Sequence, residues 1–272
     1  MTMIDIRKLR YNYPDGTLAL DSVDLHIARG ELIVIAGRNG SGKSSLVRHM
    51  NALLLPSGGS VSVNGLCTSQ KKHHPDIRRA VGMVFQEPDS QFIGMTVEED
   101  IAFGPENLGL PSSRIRNLVD ISVTTLGISG LRYLSPRSLS GGQKQKVAAA
   151  GVLAMEPQCI IFDEITSMLD PLSRQEILGA IRHIHSGGTT VIHVTHRLEE
   201  AVDADRLIIM DSGRIVADGL PRNVFMEYDL EGYGIEMPVM VKLSKMLASA
   251  GFSGRRLALT KEELLEDICQ LR

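Results

Sequence analysis

The chain is poor in cysteine, has no long apolar run and carries no excess of either charge. Its three cysteines, Cys67, Cys159 and Cys269, lie far apart and form no C-x-x-C pair, so neither a disulfide framework nor a zinc site is supported. The longest apolar runs, such as residues 32–37 and 207–210, stop far short of the roughly 20 residues that a bilayer span needs. No membrane crossing is expected. Residues 1–10 lack the apolar stretch and small-residue cleavage pattern of a secretory signal, which leaves the cytoplasm as the expected compartment. A formal net charge of -3 gives no general attraction to nucleic acid, and the short Lys71-Lys72-His73-His74 block reads as a solvated loop. Glycine reaches 26 residues but is not periodic, and neither an internal repeat nor a low-complexity tract is present.

What is there is enough for a core. At 272 residues with 43% apolar and 22% charged side chains, one large globular domain with an appendage is expected. Residues 4–13 and 18–27 alternate as half-buried strands, joined by the Pro14-Asp15-Gly16 turn. Residues 31–36 form a continuous apolar strand that runs into a glycine loop and then a helical segment, 44–54. The alternation of strand and helix returns at 158–163 with 172–185, and at 189–195 with 198–201, so a parallel sheet with crossover helices is expected. Residues 87–155, with helical patterns at 114–126 and 142–154, read as a helical subdomain inserted into this α/β core. A last strand pair at 206–210 and 213–218 precedes a helical tail. The expected division is a domain over 1–222 and a C-terminal segment over 223–272.

Gly37-Arg38-Asn39-Gly40-Ser41-Gly42-Lys43-Ser44 fits G-x-x-x-x-G-K-[ST], in the strand-to-helix setting that gives the pattern its meaning. The glycines let backbone N–H groups turn inward around phosphate oxygens, and the helix N-terminus adds positive potential. Lys43 is placed to contact β- and γ-phosphates and the Ser44 hydroxyl to ligate Mg²⁺. Cys159-Ile160-Ile161-Phe162-Asp163-Glu164 is an apolar strand ending in two acids, at the end of the sheet where ligands bind in open α/β folds. Asp163 would hold Mg²⁺ directly or through water, and Glu164 would polarise the attacking water. In isolation the two acids read equally as strand-end caps.

In Leu139-Ser140-Gly141-Gly142-Gln143, a serine cap and two glycines expose the N–H groups of a helix beginning near Gly142, which makes an anion site. This pentapeptide resembles the signature of ATP-binding cassette proteins. The resemblance implies a P-loop NTPase fold: a RecA-like parallel core with an antiparallel β subdomain and the helical signature subdomain. It further implies that two ATPases meet head to tail around two ATP molecules, each signature binding the γ-phosphate held by the other subunit. Gln86 resembles the glutamine that senses Mg²⁺ and the membrane subunit, Ser167-Met168-Leu169-Asp170 the loop that crosses the dimer, and His196 the histidine that contacts the γ-phosphate. Taken singly, His196 reads as a structural histidine and Gln86 as a surface amide. Tyr13 aligns with the aromatic that stacks on adenine, with Tyr11 as its near alternative and core packing as a competitor for both. Ser45, following Ser44, completes the expected nucleotide set.

Val84-Phe85-Gln86-Glu87-Pro88-Asp89-Ser90-Gln91-Phe92 and the run from Thr96 through Gly104-Pro105-Glu106-Asn107 look like the ATPases of energy-coupling-factor transporters. That likeness covers essentially the whole chain, including the tail at 232–251. It implies import of a vitamin or a transition-metal ion, cobalt or nickel, with the ATPase held peripherally on the cytoplasmic face of the cell membrane. The implied partners are a transmembrane coupling subunit (EcfT/CbiQ-like), a substrate-binding membrane subunit and a second ATPase, as homodimer or heterodimer, with no nucleic acid. Arginines of the coupling subunit would pair with Asp89, although Pro88-Asp89-Ser90 alone reads as a polar turn. Three positions depart from the family pattern: Lys146 for arginine, Ile165 for proline or alanine, and Ser45 for threonine. Two other readings stay open, the ATPase of a binding-protein-dependent importer and a soluble cassette ATPase. In the tail, Val239, Leu243, Met246 and Leu247 recur at helical spacing; that face would meet either the second subunit or its own domain.

Overall fold

The computed structural model describes residues 2–250 and 257–270. Residues 251–256 and 271–272 of the C-terminal segment, and Gly251 of the tail stretch 232–251, lie outside the described residues. Strand β1 (Thr2–Asn12) pairs antiparallel with β2 (Leu18–Ala28) across the Pro14-Asp15-Gly16 turn. β3 (Leu32–Gly37) is buried throughout and leads into α1 (Lys43–Met50). β4 (Gly58–Val63) and β5 (Leu66–Cys67) complete a four-stranded antiparallel sheet in the order β2-β1-β4-β5. The sequence reading found only its first two strands, because Gly58-Gly59 dilutes the alternation of β4.

Helix α2 (His74–Ala80) and strand β6 (Val81–Val84) follow. The expected solvated loop at 71–74 is a short helical turn running into α2, where His74 Nε2 meets the Thr68 carbonyl at 2.8 Å. Next come α3 (Val97–Asn107), α4 (Ser112–Thr125) and α5 (Gly141–Leu153), the helical subdomain. β7 (Cys159–Asp163), α6 (Pro171–Ser186), β8 (Thr190–Thr195) and the antiparallel pair β9 (Arg206–Asp211) and β10 (Arg214–Gly219) finish the main sheet. Its order is β10-β9-β3-β8-β7-β6, with parallel pairing from β9 through β6. The expected helix at 198–201 is a single 3₁₀ turn.

Three apolar layers hold these parts. One lies between the two sheets around Leu46, Val47, Ile35 and Ile161. A second joins the other face of the main sheet to α4, α5 and α6 through Phe162, Val147 and Ile181. The third packs the tail onto β3 and β9. Here Phe225 of α7 (Pro221–Glu227), Leu230, Ile235, Met237 and Val241 of α8 (Val239–Ser249) cover Val34, Ala36, Leu207 and Ile209. Each such side chain contributes about 1.5–3 kcal/mol on burial. Of the apolar set at helical spacing, Val239, Leu243 and Met246 are 63%, 38% and 69% exposed and Leu247 is half-buried. Helix α9 (Lys261–Gln270) closes the chain, and no described helix is long and apolar enough to cross a membrane.

Candidate functional site

The glycine loop leaves the end of β3 and turns into α1 at Gly42, whose φ of 102° and whose missing Cβ are both required. A Cβ there would stand 2.7 Å from the Ala19 carbonyl oxygen. The turn sends the Lys43 side chain, 3% exposed, back over the loop. Its ammonium donates to the carbonyls of Gly37 at 2.9 Å and Arg38 at 3.0 Å and lies 3.3 Å from Glu164 Oε1. Ser44 Oγ donates to Asp163 Oδ1 at 2.8 Å, and Arg48 stands 3.9 Å from the other oxygen of that carboxylate. Burial pushes the Asp163 carboxyl above its ordinary value, against the opposing effects of Ser44 and Arg48. Such a group is stabilised by any cation brought to it. Glu164, one residue past β7, adopts the left-handed region at φ 54° while its N–H donates to the Val194 carbonyl at 3.1 Å. A non-glycine residue held there marks a backbone that its surroundings over-determine.

Adjacent β-strands bring up the remaining groups. Gln86, after β6, donates from Nε2 to Ser167 Oγ at 3.2 Å, and Ser167 Oγ donates to the Glu164 carbonyl at 2.8 Å. Exposed His196, after β8, shares a cleft of about 550 Å³ with Gly37, Arg38, Asn39 and residues 234–236 of the tail. The Ser41 hydroxyl is buried with no hydrogen-bond partner among the described residues. Tyr11 packs edge-on against His49, ring centroids 4.8 Å apart, and joins the inter-sheet layer. Tyr13 lies at the edge of α1, its hydroxyl sharing a hydrogen bond of 2.8 Å with Ser45 Oγ. Tyr11 is thus half-buried against that layer, Tyr13 is half-buried beside it with ring centroids 5.0 Å apart, and the Ser45 hydroxyl is tied to Tyr13.

The signature turn is a capping box. Ser140 Oγ accepts from the Gln143 N–H at 3.4 Å and Gln143 Oε1 accepts from the Ser140 N–H at 3.0 Å, leaving Ser140 and Gly141 exposed and Gly142 buried. Neither Ser140 nor Gly141 joins the Lys43, Ser44, Asp163 and Glu164 cluster. Asp170 caps α6, accepting from the N–H groups of Leu172 and Ser173. Two contacts that the sequence did not signal tie α5 to the Gln86 segment: Gln145 Nε2 donates to the Gln86 carbonyl at 2.8 Å, and Lys144 pairs with Asp89 at 2.6 Å. Lys146 pairs with Glu176 of α6 at 2.7 Å. Gln91 folds back to brace the backbone of Phe85 and Glu87 instead of projecting outward. Between Asp89 and α3 the chain carries exposed Ile93 and Met95, and Tyr133 and Leu134 are exposed on a stretch stitched to the start of α3 by the Val97 and Glu98 N–H groups.

A buried ammonium, a glycine-lined turn at a helix N-terminus and an orphaned hydroxyl fit a polyphosphate. A serine bonded to a buried carboxylate fits an octahedral cation completed by phosphate and water. The family model described as ABC transporter matches residues 20–167. This chain belongs to the ATP-binding cassette transporter ATPases. It lies in their energy-coupling-factor branch, being 47% identical to the energy-coupling factor transporter ATP-binding protein EcfA of Methanosarcina acetivorans over 99% of this chain and 98% of that one. The corresponding EcfA1 protein of Clostridium novyi is 45% identical, with 99% of each chain covered. Among solved structures, CbiO1 of Clostridium perfringens, part of the ABC transporter complex CbiONQ, superposes with a TM-score of 0.79 at 35% identity. The match covers 92% of this chain and 97% of that one. An ATP-binding cassette solved as a post-hydrolysis dimer with ADP and Pi superposes at 0.73 with 27% identity, over 81% of this chain and 99% of that one. The chain is therefore an ATP-binding, ATP-hydrolysing subunit of the energy-coupling-factor type.

Proposed function

We propose that two such ATPases close head to tail around two Mg·ATP and drive uptake of a vitamin or a transition-metal ion, cobalt or nickel, through membrane partner subunits. The observation that carries this reading is the meeting of Lys43, Ser44, Asp163 and Glu164 within hydrogen-bond or ion-pair distance at the ends of β3 and β7. On nucleotide binding Lys43 would exchange the Gly37 and Arg38 carbonyls for β- and γ-phosphate oxygens, while the glycine-loop N–H groups and Ser41 cradle the phosphates. Tyr13 would stack on adenine. Ser44 and Asp163, with Gln86, would hold Mg²⁺, whose role is to neutralise phosphate charge. Glu164 would take the proton of the attacking water, with His196 facing the γ-phosphate. Ser140, Gly141, Gly142 and Gln143 of the opposite subunit would supply N–H donors to that phosphate, and Asp170 would lie at the crossing.

Coupling would run through the Gln86 segment to Asp89 and the exposed Ile93, Met95, Tyr133 and Leu134. Exposed apolar side chains on the segment that follows Asp89 suit a docked helix of a transmembrane coupling subunit. The exposed face of α8 would join the second ATPase. Both surfaces face the same assembly, held on the cytoplasmic side of the membrane. Purification of the tagged full chain from detergent-solubilised membranes of its host tests the reading. The expected co-purifying proteins are a second ATPase, a coupling subunit and a small integral substrate-binding subunit, with Mg²⁺-dependent ATP hydrolysis. Recovery of an extracytoplasmic binding lipoprotein instead would favour the binding-protein-dependent importer.

A further inference from the structure

Glu200 lies on the 3₁₀ turn four residues beyond His196, yet its side chain is only 2% exposed. Its Oε2 accepts from Thr166 Oγ1 at 2.9 Å and meets His193 Nε2 of β8 at 2.7 Å. Its Oε1 faces Arg174 of α6 at 3.8 Å, and the same guanidinium donates from Nη2 to the Leu169 carbonyl at 2.9 Å. One buried carboxylate therefore bonds β8 and the residue just before the 167–170 loop, and it faces the arginine that bonds the Leu169 carbonyl within that loop. Ser167, next to Thr166, bonds both Gln86 and the Glu164 carbonyl.

We infer that Glu200 is a positioning residue that, through the Thr166 just before it, fixes the proposed dimer-crossing loop 167–170 relative to His196, so that the two reach the nucleotide together. The inference rests on the hydrolytic roles proposed for Glu164 and His196. Its physical basis is the cost of leaving a buried charge without its donors, which makes the Thr166 contact stiffer than an exposed hydrogen bond. Burial pushes the Glu200 carboxyl up, but hydrogen bonds from His193, Thr195 and Thr166 outweigh it and hold the group below its ordinary value. If the loop drifts away from Thr166's present place, Ser167 loses its register with Gln86 and with the backbone of Glu164.

The test compares Thr166→Val, Thr166→Ser, Glu200→Gln and the Thr166→Val/Glu200→Gln double variant in the full chain. It measures ATP affinity, thermal midpoint, KM and kcat, with Glu164→Gln alongside. Thr166→Val keeps the shape and loses the donor. It is expected to leave ATP affinity near wild type, to lower the thermal midpoint by a few degrees because a buried carboxylate loses one donor, and to lower kcat about tenfold, the worth of one hydrogen bond to a charged group. Thr166→Ser restores kcat, and the Thr166→Val change slows Glu200→Gln by less than it slows wild type, because the amide keeps an acceptor for Thr166 but not the charge. Wild-type kcat in Thr166→Val, additive losses in the double variant, or a kcat loss matched by equal loss of ATP affinity would each overturn the inference. Full turnover in Glu164→Gln would instead overturn the hydrolytic reading beneath it.

Discussion

The Lys43 ammonium stands 3.3 Å from the Glu164 carboxylate, across the gap between the glycine loop and the end of β7. The ammonium proposed to meet phosphate thus rests against the carboxylate proposed as the base. Glu164→Gln preserves the side-chain shape but removes the basic oxygen. ATP binding should persist while turnover falls by about a hundredfold or more, and the protein should accumulate as an ATP-bound dimer. Size-exclusion chromatography with ATP and Mg²⁺, beside a phosphate-release assay, checks this; a monomer under all conditions would count against it.

Gly141 offers a clean test of action across the dimer. A Cβ added there would meet only Leu169 Cδ2, at 3.8 Å, whereas one at Gly142 would press on the Ser173 side chain at 2.7 Å. Gly141→Asp should therefore fold and place a negative charge at the signature turn. Hydrolysis should be abolished while nucleotide affinity stays close to wild type. Equilibrium binding of a fluorescent ATP analogue, measured with the hydrolysis rate, separates the two; equal loss of both would point to a role within one subunit.

Asp89 is already partnered by Lys144 of the signature helix. Asp89→Arg would remove that pair and also repel partner arginines, so a charge exchange is the sharper experiment. Asp89→Lys combined with Lys144→Asp rebuilds the internal pair with the outer charge inverted. Isolated ATPase activity should persist and uptake in reconstituted vesicles should fall. Uptake at the wild-type rate would place the docking surface elsewhere.

For the tail, point charges are better than truncation, because removing residues from Glu227 onward would uncover the layer around Phe225, Ile209 and Leu207. Leu243→Glu with Met246→Glu alters only exposed positions. Nucleotide-free association with the second ATPase should weaken by about tenfold or more, since one buried leucine is worth about 1.5–3 kcal/mol. ATP affinity should be unchanged. Sedimentation of the mixed chains decides it, and identical association constants would remove α8 from the interface.

Much of this architecture is legible because two periodicities dominate it. The buried runs of β3, β7 and β8 read as strands without structural help, and the glycine loop and the two acids fall where strand ends must place them. Helix α3 escaped because Gly104 and Pro105 break its pattern, although Thr96 and Glu99 form a capping box that sequence could have signalled. The tail's buried residues escaped for a different reason. Val241 and Ile235 belong to no single periodic face, and their burial depends on β3 and β9, which lie far back along the chain. Glu200 and Lys144 gave no signal, since a charged residue on a helical turn reads as solvated until its neighbours are known.

Gly234 holds φ 66°, and a Cβ there would come within 3.1 Å of the Arg38 side chain, so the tail backbone lies directly against the glycine loop. Residues 234–236 are then a wall of the cleft that the glycine loop and His196 also line, four residues or fewer before the Pro238 that caps α8. Linkage makes the consequence symmetrical. Whatever free energy nucleotide transmits through Arg38 to the orientation of α8 must be returned when α8 meets a partner. If nucleotide in that cleft biases the orientation in which α8 meets a neighbour, the two affinities must be shifted by one and the same factor.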